Sequence, residues 1–330
     1  MPKQNLIVFD LEWNIGYQPY RFNYYGVEQT LRGEIVAVGA VKIDENCNII
    51  DTFEGHFRPR IFRRLQHHIA KVTGLTQKDL DQGEPIAQGL RRFIAWCGED
   101  AVFAEWGLDD VPVLKQNLFL LNLDESYPTT WYDLQRVFEA QRPRGEGEGM
   151  TLESVVTRLG IPMERPFHDA LSDTLYTVDI CREIDLQQGI AVYPDAETLL
   201  KEGLCMGDGV YRDVKVFRGY LDRDAYRNQT EIRDVPCPVC GQLLAPDEIW
   251  QKRGNNGYYT LCSCAHCAGG ENEAKDGLFL RYRLARPDGL RWMIGRCLEI
   301  PTEQTLALWQ KKRKQTLDRM QKLREKAQEG

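Results

Sequence analysis

A chain of 330 residues, 42% hydrophobic and 28% charged, is long enough for two domains with buried cores, and its make-up excludes a disordered or fibrous protein. It holds no apolar run of about eighteen residues, which excludes a membrane-spanning helix. Met1–Asp10 lacks the basic and long apolar regions of a secretory signal, so the expectation is a cytoplasmic protein with no membrane partner. The net charge of −7 conceals a division: residues 231–330 hold 17 Lys and Arg against 13 Asp and Glu, leaving 25 against 36 in residues 1–230. Carboxylates of the acidic part can hold cations, and the basic remainder can attract phosphates.

In chain order, Asn5–Asp10 is a short apolar run ending in an acid, which predicts a buried strand with its functional end at Asp10. A loop rich in Tyr, Asn and Gly follows through Gly26. The β-branched stretches Glu34–Asp44 and Ile49–Phe57 predict two further strands. Helical periodicity covers Gln77–Gln82 and Ile86–Cys97, then Ala101–Ala104 is a short strand entering a helix near Asp109–Leu118. Residues 150–160 and 168–184 are helical again. Strands followed by alternating helix and strand predict an α/β domain, a sheet with helices packed on it.

This first domain is expected over residues 1–188, with a connector over 189–230. A second compact unit is expected over 231–300. It ends in a hairpin whose arms, Gly277–Arg286 and Leu290–Ile300, flank the turn Pro287-Asp288-Gly289. Residues 301–330 close the chain as a polar, basic helix carrying Lys311-Lys312-Arg313-Lys314, a pattern that ordinarily marks a solvated face.

Asp10 and Glu12 stand two apart at a strand end, so their side chains share one face. Alone, such a pair signifies little. Two further segments add to it: Ala104-Glu-Trp-Gly-Leu-Asp-Asp110 places acids after a strand at a helix start, and His168-Asp-Ala-Leu-Ser-Asp173 sets a histidine five residues ahead of an acid. Four carboxylates and one imidazole thus come from three separate stretches. Phosphodiester hydrolysis uses such a set: two hard divalent cations clamp the attacking and leaving oxygens, oxygen-only ligands suit Mg²⁺ or Mn²⁺ better than zinc, and an imidazole can serve as general base.

In Phe9-Asp-Leu-Glu12, Trp106-Gly-Leu-Asp-Asp110 and His168-x₄-Asp173 the first ~185 residues resemble the DEDDh exonucleases, a family of ribonuclease-H-like fold. Phe57-Arg-Pro-Arg60, Val72-Thr-Gly-Leu-Thr76, Trp106-Gly107 and Tyr132-Asp-Leu-Gln135 extend the resemblance to the Eri-type, histone-mRNA and bacterial sporulation-inhibitor exonucleases. The resemblance implies a mixed sheet flanked by helices and release of 5′-mononucleotides from a 3′ end. It implies Asp10, Glu12 and Asp173 at one metal ion, Asp10 with Asp110 at a second, and His168 as general base. Asp110 is preferred to Asp109 by the family spacing Trp-Gly-x-x-Asp, leaving Asp109 as a helix cap. Leu11, Trp13, Thr73 and Gly74 would contact the terminal nucleotide. Small residues commonly follow the Glu in this family, whereas this chain has Trp13-Asn14; Trp13 is either a stacking platform or a core residue.

Ten cysteines are present, and five of them fall within residues 237–267. Clustering of this kind points to metal before disulfides. Cys237-Pro-Val-Cys240-Gly is a rubredoxin-type knuckle and Cys264-Ala-His-Cys267 a second CxxC, together the ligand set of one tetrahedral structural Zn²⁺ in a zinc-ribbon-like β domain. Cys262 or His266 can replace one member of the second pair. The following hairpin interleaves Arg281, Arg283, Arg286, Arg291 and Arg296 with Tyr282 and Trp292, a pattern shared by nucleic-acid surfaces and by solvated strand faces. The expected partner is nucleic acid with a free 3′ end. RNA is favoured over DNA on the resemblance alone, with a repair-type DNA exonuclease and a non-catalytic binding module as alternatives.

Overall fold

The computed structural model describes residues 6–328. Met1–Asn5, which include the first residue of the expected opening strand, lie outside them, as do Glu329 and Gly330 of the expected basic segment. The chain divides into two compact units, one reaching to Tyr193 and including Asp288–Leu290, the other formed by Pro194–Pro287 and the residues from Arg291 onward.

In the first unit the strands are β1 (Leu6–Asn14), β2 (Arg21–Tyr24), β3 (Val27–Thr30), β4 (Glu34–Ile43), β5 (Ile49–Arg58), β6 (Glu84–Pro85), β7 (Val102–Glu105) and β8 (Thr130–Asp133). Its helices are α1 (His67–Thr73), α2 (Gln77–Gln82), α3 (Ile86–Cys97), α4 (Asp110–Leu120), α5 (Leu134–Gln141), α6 (Leu152–Leu159), α7 (Ala170–Cys181) and α8 (Leu186–Ala191). The sheet runs β6-β5-β4-β1-β7-β8, with β1 antiparallel to β4 and parallel to β7. This is the mixed α/β sheet flanked by helices that the sequence predicts.

Strand β1 is apolar throughout its first half because both its faces are covered. Ile7, Phe9 and Leu11 enter one core with Leu90, Phe93 and Leu114 of α3 and α4. Leu6 and Val8 enter another with Val178 and Cys181 of α7. Each such side chain contributes about 1.5–3 kcal/mol by burial. Beyond Val8 the second face continues as Asp10 and Glu12, so the hydrophobic stem of the strand fixes the carboxylates at its end. The register with β4 shifts between Glu12 and Trp13, a bulge that turns the strand directly after the acids.

The expected loop before Gly26 contains a hairpin instead. Strands β2 and β3 pair across Tyr25 and Gly26, whose φ angles of 48° and 91° are both positive, the geometry of a two-residue type I′ turn.

The second unit comprises α9 (Ala196–Leu204), β9 (Val210–Tyr220), α10 (Ala225–Asn228), α11 (Thr230–Arg233), β10 (Ala245–Pro246), β11 (Gln251–Lys252), β12 (Gly257–Ser263), β13 (Leu278–Ala285), β14 (Trp292–Ile300) and α12 (Glu303–Gln328). Its sheet runs β10-β12-β13-β14-β9. Residues 189–230, expected as a connector, are divided: α8 lies in the first unit, and β9 is an edge strand paired with β14 of the second. Its alternation is obscured by charges because an edge strand buries little on either face. Among the described residues no helix is long and apolar enough to cross a membrane.

Candidate active site

Asp10 of β1 faces Gly39 of β4 in the ladder. A Cβ at residue 39 would lie 2.2 Å from the backbone of Ala170 and Leu171, so the glycine is what lets the start of α7 rest directly on the sheet. Thr174 locks this approach by donating its hydroxyl to the Gly39 carbonyl at 2.9 Å. Asp169 caps α7 by accepting from the Ser172 amide at 2.9 Å, and Asp173, in the first helical turn, then stands over the end of β1. Gly39→Ala is expected to lift α7, with loss of about 1–3 kcal/mol of stability and at least a tenfold loss of whatever turnover the site supports. Thermal melts and turnover measured on the same preparation check this.

Glu12, His168 and Asp173 each offer a ligand atom, and these atoms all lie within 4.8 Å of one another. His168 is exposed and has a φ of 60°, a left-handed conformation that non-glycine residues adopt seldom and that histidine tolerates better than most. In this conformation its backbone amide donates to Asp173 Oδ2 at 3.0 Å. Asp173 is 8% exposed and its Oδ1 is buried with no hydrogen-bond partner among the described residues. Asp10 and Asp110 are not part of this tight trio. Asp110, the first residue of α4, accepts from the Leu11 amide at 3.2 Å, which brings it beside β1 between Asp10 and Glu12 in sequence.

Glu105, absent from the sequence prediction, closes β7 and is fully buried. Its Oε2 accepts from the amides of Asp110 at 2.7 Å and Val111 at 3.4 Å, so it satisfies two of the four orphan donors of α4. The cap expected of Asp109 has moved here for a backbone reason. Asp109 has helical angles, φ −106° and ψ −26°, whereas a capping side chain needs an extended backbone. Its carboxylate instead pairs with Arg32 at 2.9 Å in solvent. The sequence signal for Glu105 was an acid ending a short apolar strand five residues before Asp110.

The electrostatics are those of a cation site. Burial, then the charges of Asp110, Glu12, Asp173 and Glu105, hold the Asp10 carboxyl well above the usual carboxylate range. Burial, then Asp173 and Asp110, pushes Glu12 up to about 8; burial pushes Asp110 to about 7 and Asp173 to about 6. Like charges held together out of water destabilise one another, and a divalent cation relieves that repulsion while using the orphaned Asp173 Oδ1. These residues therefore fit a hard cation.

The folded carboxyls bind protons more tightly than the same groups unfolded, near pH 4. The metal-free protein therefore loses stability as pH rises from about 4 to 8. Mg²⁺ or Mn²⁺ takes the place of those protons, so its stabilisation grows over the same window, reaching about 2.7 kcal/mol at a hundredfold excess over Kd. Melting temperatures with chelator and with Mg²⁺ at pH 5.5, 7 and 8.5 test this; a metal-induced shift that shrinks with rising pH would contradict it.

The remaining candidates are placed unevenly. Leu11 is 2% exposed with its side chain in the core, leaving only its backbone near the acids. Trp13 is half-buried, packs on the same core and lies over Gly33, where a Cβ would come within 2.1 Å of the indole. Thr73 is half-buried with its hydroxyl donated to the Ile69 carbonyl at 2.9 Å, and Gly74 is exposed at the left-handed end of α1.

In the second unit the sulfurs of Cys237, Cys240, Cys264 and Cys267 converge within 4.8 Å. Cys237 and Cys267 are 3.9 Å apart and Cys240 and Cys264 3.4 Å apart, too far for disulfides and close to the ~3.8 Å edge of a tetrahedron with ~2.3 Å zinc–sulfur bonds. The first knuckle closes through Gly241, whose φ of 78° lets its amide reach the Cys237 carbonyl at 2.9 Å. Cys262 is fully buried, and neither it nor His266 belongs to the convergent group.

Of the basic and aromatic residues of the β13–β14 hairpin, Arg281, Tyr282 and Arg296 are buried, Arg286 and Trp292 half-buried, and Arg283 and Arg291 exposed. Arg281 and Arg296 are 5% and 2% exposed, paired with Glu299 at 2.8 Å and Asp213 at 2.7 Å, and Tyr282 donates to the Ile232 carbonyl at 3.0 Å. Arg283 donates to the Gly203 carbonyl at 2.9 Å. Arg281, Tyr282 and Arg296 thus serve the unit's own interior. In α12, Trp309 is buried against Phe279 and Arg313 pairs with Asp247 at 2.8 Å, while Lys311, Lys312 and Lys314 are exposed.

Residues 7–181 match the family model RNase_T, described as an exonuclease. KapD of Bacillus subtilis (strain 168), named a probable 3′–5′ exonuclease, is 23% identical over 201 residues, covering 60% of this chain and 93% of that protein. Among solved structures, the nuclease domain of 3′hExo, a DEDDh family member bound to rAMP, is 20% identical, with a TM-score of 0.47 and coverage of 57% of this chain and 94% of that one. Exonuclease I of E. coli in complex with a dT13 oligonucleotide is 15% identical, with a TM-score of 0.48 and coverage of 78% and 55%.

Proposed function

We infer, because the chain belongs to the RNase_T exonuclease family, that its first unit hydrolyses phosphodiester bonds from a 3′-hydroxyl end and releases 5′-mononucleotides. The observation that carries this reading is the convergence of Glu12, His168 and Asp173 within 4.8 Å at a strand end whose other acid, Asp10, is held well above the usual carboxylate range by burial and by its acidic neighbours. The 3′–5′ polarity is supported by similarity to KapD. RNA as the preferred substrate is supported by the resemblance of Phe57–Arg60, Val72–Thr76 and Tyr132–Gln135 to exoribonucleases.

Asp10, Glu12 and Asp173 would hold one Mg²⁺ or Mn²⁺ and Asp10 with Asp110 a second; such ions supply Lewis-acid activation of water and neutralise charge on the phosphate. The chain's own contribution is proton handling and placement. His168, exposed at the rim, takes the proton of the attacking water on its imidazole and passes it to solvent. Its backbone amide meanwhile holds Asp173, so base and carboxylate move as one piece. The Leu11 amide orients Asp110, and Glu105 fixes the helix start that carries it. Leu11, Trp13, Thr73 and Gly74 would border the terminal nucleotide, Leu11 through its backbone. Cys237, Cys240, Cys264 and Cys267 would hold one Zn²⁺ with all four positions filled by thiolate, a structural role with no open position for chemistry.

His168→Ala is expected to slow turnover by ~10²–10⁴-fold with little change in Mn²⁺ affinity. The direct test is incubation with matched RNA and DNA 20-mers labelled at either end, with Mg²⁺ or with chelator. Ladders that shorten from the 3′ end only with metal support the reading, and their rates rank RNA against DNA. Folded, metal-supplied protein that shortens neither polymer would remove it.

A further inference from the structure

We propose that the loop carrying Arg58, Arg60, Arg63 and Arg64 is a preorganised track for the phosphates of single-stranded nucleic acid entering the active site. The inference deepens the exonuclease reading and rests on it for the identity of the strand.

The first observation is charge. Residues 55–78 contain Arg58, Arg60, Arg63, Arg64, Lys71 and Lys78 and no Asp or Glu, inside the acidic part of the chain. All four arginines are exposed. Arg58, Arg60 and Arg63 donate to the backbone carbonyls of Asp81, Leu120 and Arg60, and Arg64 lies 5.4 Å over the ring of Tyr17. Among the described residues none of the four forms an ion pair with a carboxylate, so their guanidiniums are open to an anionic ligand.

The second observation is rigidity. A merely solvated basic loop needs no internal scaffold, yet two buried side chains pin this one. Glu34, 3% exposed, accepts from the amides of Arg60 at 2.6 Å, Ile61 at 2.7 Å and Phe62 at 2.7 Å. Asn14, fully buried, donates to the carbonyls of Phe62 at 2.8 Å and Arg64 at 2.9 Å and accepts from the Gln66 amide at 3.0 Å. Asn14 is also the last residue of β1, two beyond Glu12 and so about 7 Å along the strand. One strand thus sets both the carboxylates and the arginines.

The third is shape and surface. Arg58, Arg60 and Arg63 line a cavity of about 430 Å³ together with Asp81, Pro85 and Ile86, large enough for a phosphate and its hydration. Tyr17 and Tyr20, 61% and 39% exposed, stand beside Arg64 and Phe62 and offer ring faces to bases. Guanidiniums held without carboxylate partners suit phosphate oxygens.

The test uses the full chain carrying Asp10→Asn, so that binding is read without cleavage. Affinity for a fluorescent RNA 20-mer is measured by anisotropy from 50 to 300 mM KCl, with and without Arg60→Gln, Arg63→Gln and Arg64→Gln combined. The expected result is a tenfold or greater rise in Kd and a log K against log salt slope shallower by about 2, since each strand phosphate contact contributes about 0.7. The matching arginine-to-lysine triple variant should retain the slope, and equal melting temperatures exclude misfolding. In the active background KM for the 20-mer should rise while hydrolysis of a dinucleotide stays within twofold. Unchanged Kd and slope would overturn the track. Loss of 5′-AMP binding with 20-mer binding intact would also overturn it, marking the loop as a mononucleotide site. A protein that cleaves nothing but still shows the expected Kd and slope changes would sink the nuclease reading and leave the track standing.

Discussion

Asp10→Asn is expected to reduce turnover by ~10³-fold or more while raising the thermal stability of the metal-free protein. The two effects share one cause. Asp10 is held at the end of β1 by a stem buried on both faces, and its carboxyl is driven far above its ordinary range by burial and by Asp110, Glu12, Asp173 and Glu105. Asparagine keeps the volume and removes the charge, so the buried repulsion falls and the apo fold gains. The same change deletes the one oxygen donor placed to serve both proposed cation positions, and Lewis-acid stabilisation of several kcal/mol corresponds to about three decades of rate. Single-turnover degradation of a 20-mer in Mg²⁺, with melts in chelator, reads both. Wild-type turnover would remove Asp10 from the site. Lower apo stability would show that the carboxylate is paired by something other than a missing cation.

Cys264→Ser is expected to cost the protein one equivalent of zinc and to destabilise the second unit by several kcal/mol. Four thiolates at tetrahedral spacing stabilise small domains by roughly 10–16 kcal/mol in peptide systems. The loss here should be smaller, because Tyr226, Ile232, Leu280, Tyr282 and Leu298 give the unit a core of its own. Cys262→Ser is the control. That thiol is fully buried and lies outside the convergent four, so it should lower stability by leaving a hydroxyl in an apolar site yet keep the zinc. Elemental analysis of purified protein, paired with thermal melts, separates the two. Full zinc in Cys264→Ser, or its loss in Cys262→Ser, would overturn this ligand assignment.

What the chain determined by itself is what neighbouring residues encode. The apolar stem of β1, the alternation of Asp10 with Glu12, the helical repeat of Ile86–Cys97 and the two CxxC knuckles are all set within a dozen residues. Strand period and ligand spacing are local geometry, and so the α/β class and the cysteine cluster were legible in the sequence, while the exonuclease family was legible there only as a resemblance of motifs. Other features had no local signature. The Leu11 amide meets Asp110 across 99 positions and Thr174 meets the Gly39 carbonyl across 135; only the packed sheet shows why residue 39 must be glycine and why Asp173 reaches Glu12. Backbone angles, invisible in a string of letters, moved the α4 cap from Asp109 to Glu105. Alternation says that two side chains share a face but not which face is wet, so Arg281 and Arg296 read as surface until burial and their ion pairs placed them inside. The tertiary structure decided, for the same reason, that Arg58, Arg60, Arg63 and Arg64 stand exposed on a loop held by Asn14 and Glu34.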